Sequence, residues 1–504
     1  MRRRRNHAFW AFGIAIAVVL MGSGWGKAVW AQTDIGPFEI TGFGAYLINP
    51  NDGHLTPNDL APNQAGNFMG PLNGTGNPTF NLMYNLLDLR VRTTVTEHLS
   101  VFTEARFWGD YTNQVDQRWP AYQALPADFR GDGFMLRGGG NNFRFELWNG
   151  YLNYQSGDLL VRVGKQTIAW GEDIGLRVLD QVNPLDLSEE FFFGWAGEEF
   201  DNIRIPEWMI RVDKGLPNPL IPDLAISLFA SPGTWTPTIL PAQGSPYNVV
   251  PVVLDLREDV TQGEPIGGFQ LSGTVQRTEF TLNFLTRPTE TAVGIVTPPP
   301  SGCVKDSYGA FPLGPPGAPF CRILAEGEHP RFYMVGGSLN TPIDWAGGIF
   351  RLETVAFANQ SFTNATSTRI VQRPEFETMA GFDRPFYILP NEAALSFVFQ
   401  YLEIDNAGDL SNVYANAVQQ PTSDHLVVLF LDQPLFSSSV DVDLLALVDT
   451  SEAFWFQPSI NWQIGNHWRL NVLYNSFGGA ENVAGRFGAF WFLDGPAFRI
   501  IYGF

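Results

Sequence analysis

Apolar and polar residues alternate strictly along much of this chain. From Leu87 to Val95 every second residue is apolar or β-branched, and Asp88, Arg90 and Arg92 lie between them. Because successive side chains of a β-strand point to opposite faces, a period of two predicts a strand with one apolar and one charged face. The pattern resumes after the short connection 96–98, which predicts a hairpin.

Segments of the same kind recur to the end of the sequence. In the third segment the alternation places Tyr151 with Phe145 and Leu147 on the apolar face, and Arg144 and Glu146 on the other. The predicted strands cover residues 38–48, 81–95, 99–112, 143–155, 159–169, 206–216, 223–232, 266–276, 278–288, 330–340, 346–359, 376–389, 392–404, 424–434, 438–449, 453–464, 467–477 and 495–504.

The lengths of the strands and loops indicate the class of β protein. Many strands have ten or more residues and carry aromatic residues toward their ends, as outer-membrane barrels do. The short connections are 96–98, 155–158, 341–345 and 465–466, and the long ones are 49–80, 113–141, 170–205, 234–264 and 289–329. A soluble β-sandwich is the alternative, but its strands are shorter. We predict an all-β fold, a transmembrane antiparallel up-and-down β-barrel of about 18 strands (16–18), with long extracellular loops and short periplasmic turns.

The N-terminus has the parts of a secretory signal peptide. Arg2–Arg5 form a basic region, Ala8–Met21 form an apolar region, and Ala31 precedes a plausible cut before Gln32. An uncleaved anchor is the alternative, although the apolar run is short for a span of ~20 residues. No later stretch is apolar enough for a spanning helix. We expect a cleaved signal peptide, 1–31, and an outer-membrane barrel, 32–504.

The net charge and the lack of several sequence motifs argue against some classes of function. The formal net charge is −20. Removing the signal peptide takes away five cations and leaves 26 Lys and Arg against 51 Asp and Glu, a net charge of −25. An acidic chain is a poor partner for nucleic acid. The six histidines lack metal-ligand spacing, and there is no G-x-S-x-G, no phosphate loop and no Cys-x-x-Cys-His. We therefore expect no enzymatic activity, no metal and no cofactor.

The last predicted strand carries a second kind of signal. Phe498, Ile500, Tyr502 and Phe504 alternate on its apolar face, and Phe504 is the final residue. This pattern resembles the terminal signal that the outer-membrane barrel-assembly machinery reads. We expect that machinery and the lipids of the outer membrane, including lipopolysaccharide, to be partners.

The polar face of the strands is expected to line the lumen, because a barrel of this size is too wide for side chains to fill. One interpretation is that these charges pair across neighbouring strands and stiffen the wall. The other is that an arginine ladder faces an acidic rim and orients polar solutes. The expected lumen residues are Asp88, Arg90, Arg92, Glu104, Arg106, Arg144, Glu146, Arg162, Arg351 and Glu353.

The segment 170–206 is too long and too apolar for a simple loop. We expect it to fold into the barrel and form a constriction, with its carboxylates favouring cations or the polar ends of amphiphiles. An external cap or a subunit contact is the alternative. Its candidate residues are Trp170, Glu172, Asp173, Arg177, Asp180, Asp186, Glu189 and Glu190.

Cys303 and Cys321 lie in one long predicted loop and are the only cysteines of the sequence. In an oxidising compartment they predict a disulfide, worth ~3 kcal/mol on the chain-entropy model.

Three stretches resemble a family of outer-membrane barrels described as a domain of unknown function. They are Val161–Glu172 (VRVGKQTIAWGE), Val182–Asp186 (VNPLD) and the closing runs Phe487–Phe490 and Phe498–Phe504. Members of that family are often encoded near exporters of the resistance-nodulation-division type. The resemblance therefore implies hydrophobic or amphiphilic cargo and a periplasmic exporter as a partner, and it brings no catalytic residue.

The sequence favours a channel for passive passage of small solutes, and the resemblance implies that these are hydrophobic or amphiphilic. One alternative is a barrel that sheathes a partner such as a multihaem cytochrome in an electron conduit. The other is an outer-membrane hydrolase with an active site at the rim.

Overall fold

The computed structural model describes residues 33–35, 38–50, 80–110, 143–171, 177–187, 203–233, 235–239, 253–259, 264–296, 322–364, 370–390, 392–406, 413–415, 418–419, 423–450, 452–478 and 494–504. The predicted signal peptide and the predicted disulfide between Cys303 and Cys321 lie outside these residues. None of the described residues belongs to a helix long and apolar enough to cross a membrane.

Twenty-four strands lie within the described ranges. They are β1 (Thr33–Ile35), β2 (Phe38–Pro50), β3 (Phe80–Thr94), β4 (Leu99–Asp110), β5 (Phe143–Ser156), β6 (Leu159–Gln166), β7 (Glu207–Gly215), β8 (Ala225–Ser231), β9 (Val253–Asp259), β10 (Ile266–Val275), β11 (Thr278–Pro288), β12 (Val293–Val296), β13 (Arg322–Glu328), β14 (Arg331–Ile343), β15 (Gly348–Asn364), β16 (Ile370–Phe386), β17 (Leu395–Asn406), β18 (Val413–Ala415), β19 (Val418–Gln419), β20 (Ser423–Leu435), β21 (Val440–Asp449), β22 (Phe454–Ile464), β23 (Trp468–Gly478) and β24 (Gly495–Gly503).

Eighteen of these strands close a transmembrane antiparallel barrel, which confirms the predicted fold class. They are β2–β8, β10, β11, β14–β17 and β20–β24, each paired with the next. The barrel closes where β24 pairs with β2, from Ile48 opposite Phe498 to Phe43 opposite Gly503. Because the number of barrel strands is even, the start of β2 and the end of β24 lie at the same rim of the barrel. This is the periplasmic rim, where the short turns lie.

The remaining strands lie outside the ring. Strand β1 adds to β2, while β9, β12 and β13 form a separate sheet in which β9 and β13 are parallel. Strands β18 and β19 pair with each other, and β18 extends the end of β15.

The predicted ends of β15 and β16 are several residues short. Residues 360–363 of β15 pair with 370–373 of β16, beyond the predicted limits of 359 and 376. The residues here are mostly polar, such as Asn359, Gln360 and Ser361, so the apolar alternation stops although the backbone ladder continues.

The outer and inner faces of the barrel wall differ in polarity, as is required of a barrel in a bilayer. Large apolar side chains of one face are exposed, among them Phe145 (68%) and Val335 (59%), and this face meets lipid. The opposite, inward face carries polar and charged residues, many of them buried, such as Asp88, Gln400 and Gln457.

A β-bulge in β5 reverses the alternation of its second half. Ala105 of β4 lies opposite Leu147, but Glu104 lies opposite Asn149, so Trp148 is the extra residue. After the bulge Tyr151 lies opposite Phe102 on the inward face. The prediction that Tyr151 shares the apolar outer face with Phe145 is therefore wrong, because an inserted residue shifts every following side chain to the other face.

Candidate functional site

The inward face of β3, β4 and β5 carries a network of paired charges. The Arg106 Nε lies 2.9 Å from Asp88 Oδ2 and its Nη2 lies 3.0 Å from Glu104 Oε1. The Arg90 Nε lies 2.9 Å from the other Asp88 oxygen, Oδ1. The Asn149 Nδ2, which the bulge turns inward, donates to Glu104 Oε2 at 2.7 Å. Two carboxylates and two guanidiniums thus satisfy one another across adjacent strands.

Aromatic rings lie beside the same arginines. The Arg106 guanidinium carbon is 4.2 Å from the centre of the Trp148 ring, and that of Arg144 is 5.4 Å from the Trp108 ring. All four side chains are at least nine-tenths buried. This part of the wall is therefore covered by protein.

Residues 177–187 and 203–206 contribute to that cover, and we call them the lumen segment. Val178, Leu179 and Val182 are at most 1% exposed and belong to one apolar cluster with Leu285 and Met334 of the inner wall. A Cβ placed on Gly336 of β14 would lie 2.7 Å from Leu179 Cδ2, so the Leu179 side chain lies directly against that strand.

Asn183 holds the two parts of the lumen segment together. Its Oδ1 accepts from the Ile168 backbone N at 2.7 Å, and its Nδ2 donates to the Ile205 carbonyl at 2.9 Å. Asp180 Oδ2 also lies 2.8 Å from Arg204 Nε. Buried polar groups that are satisfied in this way fix one arrangement of the backbone.

Three contacts join the lumen segment to separate parts of the wall. The Arg144 Nη1 of β5 lies 3.0 Å from Asp186 Oδ2. The Arg287 Nη1 of β11 donates to the Val182 carbonyl at 2.7 Å. The third is the contact of Leu179 with Gly336 of β14. Strands β6, β7, β8, β10 and β11 lie between β5 and β14 in the ring, so the segment bridges distant strands.

Arg177 contacts both the lumen segment and a carboxylate beyond it. Its Nη1 contacts both Glu290 carboxylate oxygens, at 3.0 and 3.2 Å, and its Nη2 and Nε donate to the carbonyls of Asn183 and Asp180, each at 2.6 Å. Burial alone would lower the pKa of the Arg177 guanidinium, but Glu290 and Asp180 outweigh this effect and raise that pKa above its ordinary value.

The periplasmic end of the same wall is open by comparison. Arg92 is exposed and Phe102, Tyr151 and Arg162 are half-buried, although they share the inward face with Asp88, which is 0% exposed. Among the described residues, this wall is therefore covered in its upper part and less covered near the periplasmic turns, and we call the less covered end the periplasmic vestibule.

The predicted lumen residues Arg351 and Glu353 lie on the far wall. Arg351 Nε pairs with Asp383 of β16, and Glu353 is 1% exposed. Glu146 lies 3.3 Å from Arg144 Nε, measured from its Oε1. The structure thus brings the predicted wall residues into several small groups around the ring instead of one ladder.

Of the eight residues predicted for the segment 170–206, the structure describes four, which are Trp170 before the lumen segment and Arg177, Asp180 and Asp186 within it. Trp170 is 3% exposed and its ring meets that of Phe229 edge-on at 5.7 Å. Glu172, Asp173, Glu189 and Glu190 lie outside the described residues. Sequence reasoning missed the contributions of Asn183, Arg204, Arg287 and Glu290. The only sequence signal was the position of Asn183 in the VNPLD run.

The predicted assembly signal lies on the outer face of β24. Phe498 is 40% and Ile500 is 47% exposed, and Tyr502 packs against the rings of Trp468 and His467. The backbone of Phe504 exchanges two hydrogen bonds with Gly42 of β2, at 2.9 and 3.0 Å.

Residues 83–486 match the model of the family described as “Protein of unknown function (DUF1302)”. This chain belongs to that family. Among curated protein sequences, none matches the chain.

Several solved structures are similar to this family member. Pseudomonas aeruginosa OccK1 (OpdK) is 8% identical with a TM-score of 0.45, and the match covers 93% of this chain and 98% of that one. Acinetobacter baumannii OccAB2 is 7% identical with a TM-score of 0.44, covering 95% and 99%. Salmonella typhi OmpF in complex with daunomycin is 9% identical with a TM-score of 0.40, covering 93% and 97%.

Proposed function

We propose that the protein is an outer-membrane channel for passive passage of small solutes, narrowed by the lumen segment. The supporting observation is that the lumen segment contacts the inward faces of β5, β11 and β14. An 18-stranded barrel is too wide for wall side chains to close, so residues inside it set the width of the path. Its assembly through the β24 signal and its setting among lipopolysaccharide and other lipids belong to the same proposal.

The charges near this segment are largely paired with one another. Among the described residues, Arg177 pairs with Glu290, Arg204 with Asp180, and Arg144 with Asp186. The segment therefore acts first by its shape and position. A barrel that sheathes a partner protein is less well supported, because the chain's own residues occupy part of the space that such a partner would need.

Single-channel recording in planar bilayers tests this proposal. The variant replaces 177–187 with glycine and serine residues of equal number, and the control replaces the periplasmic turn 217–223 in the same way. We expect conductance in KCl to rise severalfold for the first variant and to stay at the wild-type value for the control, because only the first widens the path. Heat-modifiable gel mobility shows whether each barrel is folded. If both folded variants had the same conductance, the proposal that the lumen segment narrows the channel would be contradicted.

A further inference from the structure

Two aromatic rings lie side by side on the wall of the periplasmic vestibule. Phe102 of β4 and Tyr151 of β5 are direct partners in the ladder, and their rings stack with centroids 5.1 Å apart and planes 28° apart. Both are half-buried. Because the two rings face each other, they turn their edges toward the lumen.

A guanidinium flanks each end of this pair of rings. The Arg92 guanidinium carbon lies 5.8 Å from the centre of the Phe102 ring, and that of Arg162 lies 4.2 Å from the Tyr151 ring. Across β3, β4, β5 and β6 the order is therefore cation, ring, ring, cation. We call these four residues the vestibule cluster.

The two arginines differ from those of the covered wall in their partners. Arg90, Arg106 and Arg144 each pair with carboxylates. In the described part of the chain neither Arg92 nor Arg162 forms an ion pair, and the Arg162 Nε donates to the neutral Asn153 Oδ1 at 2.8 Å. The nearby Asp213 pairs with Arg211, at 2.9 Å. Glu39 of β2 lies opposite Arg92 in the ladder, but no ion pair joins these two described residues, so both guanidiniums keep donors for a solute.

The local backbone is shaped to hold Tyr151 in place. The bulge at Trp148 turns Tyr151 inward, and bulges often re-aim side chains at functional sites. Gly164 of β6 lies opposite Tyr151 with a φ of +142°, and a Cβ there would be 2.9 Å from the Tyr151 Cβ and 2.2 Å from the Gly150 carbonyl oxygen. Glycine at 164 therefore lets β5 and β6 approach closely enough for Arg162 to cover the ring.

We propose that the vestibule cluster is a binding site for amphiphilic anions in which a carboxylate is joined to a flat apolar ring system. A guanidinium fork matches carboxylate geometry, and the edges of the two rings can contact the flat apolar part in an edge-to-face arrangement. This inference rests on the proposed channel in that it places the site on the solute path. The cluster would hold such a solute at the periplasmic end, below the lumen segment.

Equilibrium dialysis of the folded barrel in a neutral detergent tests the site without requiring conduction. The probe is 2-naphthoate, compared with 2-naphthylmethanol and 2-naphthylmethylamine, and protein-free micelles of the same detergent give the partitioning background. We expect saturable binding of 2-naphthoate, much weaker binding of the alcohol and no saturable binding of the amine.

The double variant R92Q/R162Q removes both guanidiniums, and R277Q/R373Q removes two arginines outside the cluster as a charge-matched control. We expect at least tenfold weaker 2-naphthoate binding in the first and a change under twofold in the control. F102L/Y151L should also weaken binding of 2-naphthoate tenfold. The single variants R92Q and R162Q give the same test should the double variant fail to fold.

Equal 2-naphthoate affinity in wild type and R92Q/R162Q would overturn the proposal, and so would binding of the amine as tight as that of the carboxylate. Conductance in KCl, measured in parallel, separates the two proposals. A barrel that conducts but does not bind 2-naphthoate contradicts the vestibule site alone. A barrel that binds 2-naphthoate but does not conduct contradicts the channel alone.

Discussion

Arg144 and Asp186 connect the barrel wall to the lumen segment. The Arg144 Nη1 lies 3.0 Å from Asp186 Oδ2, at a sequence separation of 42, and both side chains are more than nine-tenths buried. A buried ion pair contributes little net stability when intact but leaves an uncompensated charge when one partner is lost. The pair therefore contributes mainly to the position of the lumen segment.

We expect Asp186→Asn to loosen the lumen segment, because it leaves the Arg144 charge with one fewer counterion. Breaking a buried pair of this kind costs about 3–5 kcal/mol. Single-channel recordings should show larger current fluctuations and a higher mean conductance. The neutral pair R144Q/D186N should recover part of the wild-type behaviour, and a D186N channel as quiet as wild type would contradict this role.

Leu179→Ala should weaken the packing of the lumen segment against β14. Leu179 is fully buried against Gly336, and truncating a buried leucine costs about 2–5 kcal/mol. We expect faster cleavage of the segment by an added protease while the barrel keeps its heat-modifiable mobility. Leu220→Ala, at an 85% exposed turn residue, is the control. Equal cleavage rates in the two variants would show that Leu179 does not anchor the segment.

Gly42→Val should slow closure of the barrel at its seam. A Cβ at Gly42 would lie 2.3 Å from the Asp88 carbonyl oxygen and 2.9 Å from Phe504 Cζ. Gly44→Val is a matched control two residues along β2, since its Cβ would meet only the Leu86 carbonyl oxygen, at 4.0 Å. Refolding from urea into lipid vesicles, followed by gel mobility, should be slower for G42V than for G44V. Equal refolding rates for G42V and G44V would contradict a steric effect of the Cβ at Gly42.

The periplasmic turn pair Arg277 and Asp344 should contribute a small, pH-dependent stability. The hydrogen bonds from Arg277 and its charge hold the pKa of the Asp344 carboxyl below its ordinary value. A carboxyl whose pKa is lower in the folded state stabilises the fold above its unfolded pKa, about 3.9, and loses this effect as pH falls through the folded value. Both residues are exposed, so the effect is small.

The urea midpoint of Asp344→Asn should therefore lie slightly below that of wild type at pH 7. The difference should shrink as pH falls through the folded-state pKa of Asp344, because a protonated carboxyl carries no charge, like the Asn amide. A difference of constant size across the acid range would point to a cause other than ionisation of Asp344.

The sequence alone determined the class of fold and the number of barrel strands. Each strand such as β3 or β11 carries its own alternation, and this local pattern is enough to separate a lipid face from a lumen face. The pairing of Asp88 with Arg106 also follows from adjacent strands, since both lie on the polar face of one hairpin.

Only the tertiary structure decided where residues far apart in the chain meet. Arg177 contacts Glu290 across 113 residues, and Arg287 contacts Val182 across 105. No periodicity encodes such contacts, because a loop takes its position from whatever surface its side chains can pack on. The vestibule cluster was likewise decided by the tertiary structure. One inserted residue at Trp148 turned Tyr151 toward Arg162, and strict alternation had placed it in lipid.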